Sequence, residues 1–300
     1  NITKYDAFGR VAYTGWLSDA TITSGKRNTL QTTKNAETIV SESKTTANAT
    51  IDGITIRYSN SSLPNSALKL LTINYYDNYS YPNVPPIPSA VFGESVITNA
   101  KGLPTGSWVR VLNATETPVL AERSSSFYDA KGRAIRSYTL NHLGGFTQSD
   151  MQLDFTGQVL STITTHQRSV TDATVTTNEY FEYTEQGRLR NHYHQINGGD
   201  MERLTTNEYD NLGQLISKDV GGAPNMETGL QKVNYQYNIR GWLTHINEVN
   251  QLQNNPGQFD DLFAFKINYN TVENTVNNAI KPLFNGNIAE TFWQTGSDLN

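Results

Sequence analysis

Across residues 123–250 apolar and polar positions alternate in short bursts. Val233, Tyr235 and Tyr237 alternate with Asn234 and Gln236, the period-two signature of a strand. Each burst ends on a turn former, meets a glycine three residues later, and restarts on an apolar residue. The pattern reads Tyr128-Asp-Ala-Lys-Gly-Arg-Ala134, Leu153-Asp-Phe-Thr-Gly-Gln-Val159, Tyr183-Thr-Glu-Gln-Gly-Arg-Leu189, Tyr209-Asp-Asn-Leu-Gly-Gln-Leu215 and Tyr237-Asn-Ile-Arg-Gly-Trp-Leu243. A sixth copy, Tyr5-Asp-Ala-Phe-Gly-Arg-Val11, opens the chain. The five clustered copies recur at a period of about 25–30 residues, inside the range that marks repeat architectures.

Each copy predicts a β-hairpin. Asp6, Asp129, Asp154, Asp210 and Asn238, with Thr184 in the third clustered copy, supply a short polar side chain that bonds its own backbone and starts a turn. Gly9, Gly132, Gly157, Gly187, Gly213 and Gly241 supply positive φ without steric cost. That spacing suits a type I turn closing on a left-handed glycine, with a bulge. One hairpin is not stable alone in water, so neighbours must pair edge to edge. The expected fold is all-β: antiparallel hairpin repeats forming a curved, spiralling sheet, taken as one segment over 1–300 with no internal boundary.

Elsewhere the pattern is looser. Residues 1–17 predict the first hairpin. Residues 18–50, rich in Thr, Ser, Asn and Lys, predict one or two strands, and Ile51–Tyr58 and Leu68–Tyr76 predict a strand each. Tyr81–Pro88, with four prolines, is expected as an extended loop, since proline cannot donate to a ladder. Ser107–Leu112 and Val119–Tyr128 predict a strand pair, and 221–225 and 250–256 predict wide loops. Leu262–Tyr269 predicts a strand whose apolar face is Phe263, Phe265, Ile267 and Tyr269. Phe284–Trp293 predicts a last strand without a partner. No amphipathic helix stands out, a short one over Thr271–Ile280 excepted.

The six Tyr-Asp-x-x-Gly-Arg units resemble the YD repeat of RHS proteins, large bacterial secreted or surface proteins. Ile73-Asn-Tyr-Tyr-Asp-Asn-Tyr79, Gly102-Leu-Pro-Thr-Gly106 and Tyr193-His-Gln-Ile-Asn197 resemble one RHS subgroup. Leu153 departs at the tyrosine, Thr184 and Asn238 at the aspartate, and Gln158, Gln214 and Trp242 at the arginine; turn chemistry survives each change. The resemblance implies repeats wound into a hollow β-shell, which in toxin-bearing members encloses a C-terminal toxic domain. Their aspartyl self-cleavage segment is not recognisable here.

Composition narrows the picture. Hydrophobic residues are 36% and charged residues 17% of the chain, both low for a globular domain. Tyr, Thr, Asn and Ser fill the difference, as on a sheet wet on at least one face. A net charge of −5 argues against nucleic acid or an anionic membrane as partner. Cysteine is absent, which removes thiol-based metal and redox chemistry. No run of eighteen apolar residues offers a membrane span. The first residues hold neither a start methionine nor a signal segment, so the chain is expected to be a piece of a longer one.

Candidate chemistry is sparse. His192 and His194 alternate onto one face of a strand with Arg188 and Arg190, and two histidines at that spacing can share a metal, with Glu182 as third ligand. The favoured reading is a wet face whose Arg and His bond across strands to Thr, Asn and Glu. Asp260-Asp261 lacks a calcium loop around it, and hydrolase, zincin, Walker and Rossmann patterns are absent. Trp16, Trp108, Trp242 and Trp293 are expected to pack between layers rather than stack sugars. The Asn-x-Ser/Thr triplets at Asn48, Asn60, Asn78 and Asn113 are no more than this composition produces by chance.

The expectation is therefore no enzyme and no cofactor, but a shell segment of a secreted or surface protein. Its partners are then the rest of the same polypeptide, flanking repeats and enclosed cargo, and a protein at an open strand edge, export machinery included. Two alternatives stay open: an extracellular adhesin or carbohydrate-binding β-solenoid, and a secreted glycosidase.

Overall fold

The computed structural model describes residues 1–17, 21, 23–113, 118–252, 261–273 and 279–296. Its contacts divide the chain into two units, Asn1–Thr176 and Thr177–Asn300. The first unit contains β1 (Ile2–Tyr5), β2 (Val11–Leu17), α1 (Ser24–Asn35), β3 (Lys44–Ile51), β4 (Ile54–Tyr58), β5 (Leu68–Asn78), β6 (Ala90–Val91) and β7 (Glu94–Ser95). It continues with β8 (Asn99–Val111), β9 (Leu120–Tyr128), β10 (Ala134–Leu140), β11 (Gly144–Leu153) and β12 (Val159–Ser169). The second unit contains β13 (Val175–Tyr183, from Thr177 on), β14 (Leu189–Ile196), β15 (Glu202–Tyr209), β16 (Leu215–Val220), β17 (Gln231–Tyr237), β18 (Leu243–Ile246), β19 (Phe263–Asn268) and β20 (Glu290–Thr295).

The architecture is all-β and antiparallel. In the first unit the sheet order is β1-β2-β5-β8-β9-β10-β11-β12, in the second β13 to β20 in chain order. Every repeat motif closes on the same pair, its first residue against its seventh: Tyr5 with Val11, Tyr128 with Ala134, Leu153 with Val159, Tyr183 with Leu189, Tyr209 with Leu215 and Tyr237 with Leu243. The register shifts by one residue beside each closing pair, a bulge that adds local twist at every turn.

The packed core belongs to the first unit. The β3–β4 hairpin lies outside the main sheet order, and its Ile51, Ile56 and Tyr58 join Tyr13, Leu70, Ile73, Tyr75 and Trp108 in one buried cluster. Tyrosine rings tile it: Tyr58 stacks on Tyr75 at 5.6 Å and Tyr75 on Tyr81 at 4.6 Å. Among described residues of the second unit, the buried apolar side chains are Leu252, Ala264 and Ile267. Its strands are half-buried along most of their length, as in a single layer without a thick core.

Several expectations need correction. Residues 24–35 form a helix, not a strand. Thr23 caps it by accepting the Lys26 N–H at 3.2 Å, and Thr29, Thr32 and Thr33 bond back to carbonyls four residues earlier. No helix residue is buried, so no apolar stripe marks it. Ile51–Tyr58 is not one strand: Asp52 and Gly53 take φ of 52° and 75°, and the chain turns back there as β3 and β4, an Asp-Gly hairpin. The last strand starts at Glu290 rather than Phe284 and does have a partner, pairing with β19 from Phe263–Thr295 to Asn268–Glu290. Nor is β19 buried on its aromatic face alone: Ala264 and Asn268 are buried while Phe263 is 42% exposed. Trp293, 62% exposed, does not pack between layers. Residues 271–273 are not helical; 274–278, part of the loop over 250–256, and Asp260 lie outside the described residues.

Candidate functional site

The feature with the most organised chemistry is the set of repeat turns in each unit. In the first turn the Asp6 N–H donates to the Arg10 carbonyl at 2.8 Å and the Gly9 N–H donates to the Asp6 carbonyl at 3.0 Å. Asp6 Oδ1 then accepts the Phe8 and Arg10 N–H groups, each at 2.9 Å. Asp129, Asp210 and Asn238 repeat the arrangement with the residues two and four positions on. Asp154 accepts from Gly157 and Gln158, and the Thr184 hydroxyl accepts from the Arg188 N–H at 3.2 Å. Gly9, Gly132, Gly157, Gly187, Gly213 and Gly241 take φ between 75° and 97°, the left-handed region that these closed loops require. The sequence reading missed a seventh turn of this build. Asn141 accepts from Leu143 and Gly145, and Gly144 has φ of 80°; Leu140-Asn-His-Leu-Gly-Gly-Phe146 lacks the tyrosine and arginine that flagged the others.

The turns are also tied to each other. Tyr76 donates its hydroxyl to the Val11 carbonyl at 3.1 Å, Tyr209 to Leu189 at 2.8 Å, Tyr237 to Leu215 at 2.9 Å and Tyr269 to Leu243 at 3.0 Å. The acceptor is each time the apolar residue that follows Gly-Arg, Gly-Gln or Gly-Trp in the preceding repeat. A second tie runs forward. The side chain after one turn glycine covers the glycine of the next turn: Arg133 over Gly157, Arg188 over Gly213, Gln214 over Gly241 and Trp242 over Gly286.

Charge follows the same turns. Arg10 bonds Asp6 through Nε at 2.7 Å and grips Asp77 with both Nη atoms at 3.0 and 2.7 Å, a bidentate pair. The Arg10 guanidinium, helped by the Gly102 N–H, holds the Asp77 carboxyl down to about 2 against the pull of burial. Arg133 bonds its own Asp129 through Nε and the next repeat's Asp154 carbonyl through Nη1, at 2.7 and 2.6 Å.

The histidine strand shows three separate pairings. His192 Nε2 lies 3.0 Å from Glu179 and its ring stacks on Phe181 at 4.5 Å. His194 Nε2 lies 2.9 Å from Glu202, across the other edge of β14. Glu182 accepts from Asn191 at 2.6 Å. The two histidines and Glu182 thus have different partners, and among the described residues no three His, Asp or Glu side chains gather as metal ligands.

A buried cluster in the first unit gave no sequence signal. Lys4, 3% exposed, donates to Glu42 at 3.0 Å, Asn60 at 2.6 Å and the Ser62 carbonyl at 2.6 Å. Glu42, fully buried, accepts from the Ser59 and Ser62 hydroxyls and the Ser61 and Ser62 N–H groups. Burial pushes its carboxyl up, but these bonds outweigh burial and hold it down to about 2. Burial also pulls the Lys4 ammonium below its ordinary value, against the bond to Glu42. Every strong donor and acceptor is taken, so the cluster cements β1 to the segment before β3 and offers no reacting group. Asn60 and Asn78, in the glycosylation triplets, are likewise engaged, with Lys4 and Lys44.

In the second unit an open cavity of about 690 Å³ lies beside the third and fourth clustered turns, lined by Glu185, Arg188, Arg190, Glu208, Tyr209 and Asp210 among others. Asp210 Oδ1 is occupied by two backbone N–H groups.

No protein-family model matches the sequence, and no curated protein matches it. Among solved structures the chain is similar to one in the crystal structure of TcdB2-TccC3-Cdc42, at 12% identity over 72% of this chain with a TM-score of 0.30. It is similar to the same extent, 12% over 72% with a TM-score of 0.30, to one in the Photorhabdus luminescens Tc holotoxin pore. The chain spans 13% and 12% of the length of those two chains.

Proposed function

We propose that this chain is a non-enzymatic length of wall in an RHS-type β-shell of a secreted or surface protein, which encloses or carries another part of the same polypeptide. The observation that carries the reading is the two-way tie between successive turns. The repeats at Tyr209 and Tyr237 each reach back with the tyrosine hydroxyl and forward with the side chain over the next glycine. Such ties are propagating contacts: they add the next repeat and leave no side chain dedicated to a substrate. Half-buried strands rich in Thr, Ser, Asn and Gln suit the purpose, because a polar wall does not adhere to an unfolded guest. The partners in this reading are flanking repeats and cargo, which in a toxin-bearing member is a toxic domain.

The test is limited proteolysis of the natural polypeptide that contains these residues. A segment outside the repeats should resist protease until the wall unfolds, then be cut at once. Immediate digestion of everything outside the repeats, with the wall intact, refutes enclosure.

A glycosidase is the second reading, favoured by one observation, the cavity with Glu185, Glu208 and Asp210 in its lining. Against it, Asp210 serves its own turn. Glycan turnover lost on Glu208→Gln, with the fold intact, would select this reading over the wall.

A further inference from the structure

We propose that Arg203 is the anchor of a carboxylate-binding site closed by the 221–230 loop. Arg203 is 5% exposed on β15. Its guanidinium makes one hydrogen bond, from Nη1 to the Met226 carbonyl at 2.9 Å, while Nε and Nη2 are buried without a partner. A buried charged donor left unpaired is among the rarest features of a stable fold and calls for a reason. The identity of the two orphans supplies one. Nε–H and the adjacent Nη2–H point the same way along one edge of the planar fork, the edge that takes a carboxylate with two parallel bonds.

The cover over that edge is slight. Gly222, with φ of 104°, brings no side chain; a Cβ there would stand 3.9 Å from Arg203 Nη2 and 2.9 Å from Met226 Sδ. So the Met226 side chain lies against Gly222 beside the fork, and it is 37% exposed. Residues 223–228 are all exposed, and Gly221 and Gly222 are consecutive left-handed residues at the loop's start. Met226 Sδ accepts the Ala223 N–H at 3.3 Å, so in the proposed site this exposed loop and its flexible thioether are what move to open the free edge. On the described side chains no carboxylate fills it: Glu202, next in sequence, pairs with His194, and Asp219 accepts the Gly229 N–H. The site is independent of the wall reading and would hold in any of the functions above.

Thermal unfolding of the whole chain tests it, with sodium acetate and succinate compared to chloride and phosphate at equal ionic strength. Carboxylate should raise the midpoint by about 3 °C or more over chloride, and phosphate, which lacks the planar pair of oxygens, by less. Arg203→Met should be as stable as the parent in chloride, since it removes the unpaired donors, and should lose the carboxylate response. Arg203→Lys keeps the charge without the fork and should lose the response as well, which covers the case of a misfolded methionine variant. The Arg203 Hε resonance should shift with acetate and not with chloride. An end-blocked aspartyl peptide separates the sources: a larger response than to succinate assigns an acidic side chain, a smaller one a free acid. An equal response to phosphate, a response retained in Arg203→Lys, or none to any carboxylate overturns the proposal.

Discussion

The guanidinium of Arg188 occupies the space that a Cβ on Gly213 would need. Gly213 also has φ of 85°, so two independent constraints exclude a side chain there. The left-handed backbone costs about 1 kcal/mol for alanine, and displacing the guanidinium adds about 1–3 kcal/mol, as overpacking does. Gly213→Ala should therefore destabilise more than Gly9→Ala, where nothing lies within 4 Å of the new Cβ. In an Arg188→Ala background the excess should vanish. Urea midpoints for the four proteins measure it, and an undiminished penalty in the double variant would show that the arginine yields freely.

The tyrosine ties should differ in worth. Removing one hydrogen bond typically costs about 0.5–1.5 kcal/mol. The Leu189 carbonyl takes both the Tyr209 hydroxyl at 2.8 Å and Asn207 Nδ2 at 3.0 Å. The Leu215 carbonyl takes Tyr237 at 2.9 Å, with no second side-chain donor among the described residues. Tyr237→Phe should thus sit at the upper end of the range and Tyr209→Phe at the lower. Equal losses by denaturant unfolding would mean that the hydroxyls are worth the same with or without a second donor.

What the sequence disclosed follows from how local the causes are. The hairpins were legible because a turn needs only Asp and Gly three apart, and both partners of its bonds lie within five residues. The β3–β4 turn was legible in principle: Ile51 and Ile54 break the period-two parity at Asp52-Gly53, and the run of isoleucines concealed it. Helix α1 was not legible, since threonines bonding back to the helix itself leave no amphipathic trace. Lys4 and Glu42 meet across 38 positions, and Arg203 meets the carbonyl of Met226 across 23. Neither pair belongs to a repeat, so no pattern announces them. The histidines were placed on the right strand, yet which glutamate each one meets depends on register and on the bulge beside His192.

Acid should weaken the first unit through Glu42. Its carboxyl stands at about 2 in the fold against an ordinary 4.5. A depressed carboxyl contributes stability that is complete above the unfolded value and is lost as pH falls toward the folded one. The window is therefore from 4.5 down to about 2, and Asp77, also held at about 2, adds to the same loss. Lys4 is charged in both states there and contributes no slope. The loss from Glu42 is bounded at about 3 kcal/mol. Glu42→Gln should be less stable at neutral pH and show a flatter decline over the window. An identical pH profile in the variant would remove Glu42 from the account.

The last prediction concerns β20. Among the described strands of the second unit it has one paired neighbour, β19, while β15 and β16 each have two. A strand held along one side opens without breaking the pairs of the rest, so its amides should exchange at a lower free energy than the global one. Glu290 at its start is buried and accepts from Asn268 at 2.9 Å, but Trp293 is 62% exposed, and the approach to the strand carries Phe284 at 76% and Ile288 at 51%. Peptides covering Glu290–Thr295 should reach half exchange at least about tenfold sooner than those covering Leu215–Val220, equivalent to about 1.4 kcal/mol in opening free energy. A strand with one neighbour among the described strands can also act as a template for another strand. Protection there, and not in β16, should rise with protein concentration if a second copy adds to it. Equal protection of the two strands at every concentration would show that something other than strand pairing secures β20, and the tie from Tyr269 to Leu243 would be the first bond to remove in finding out what.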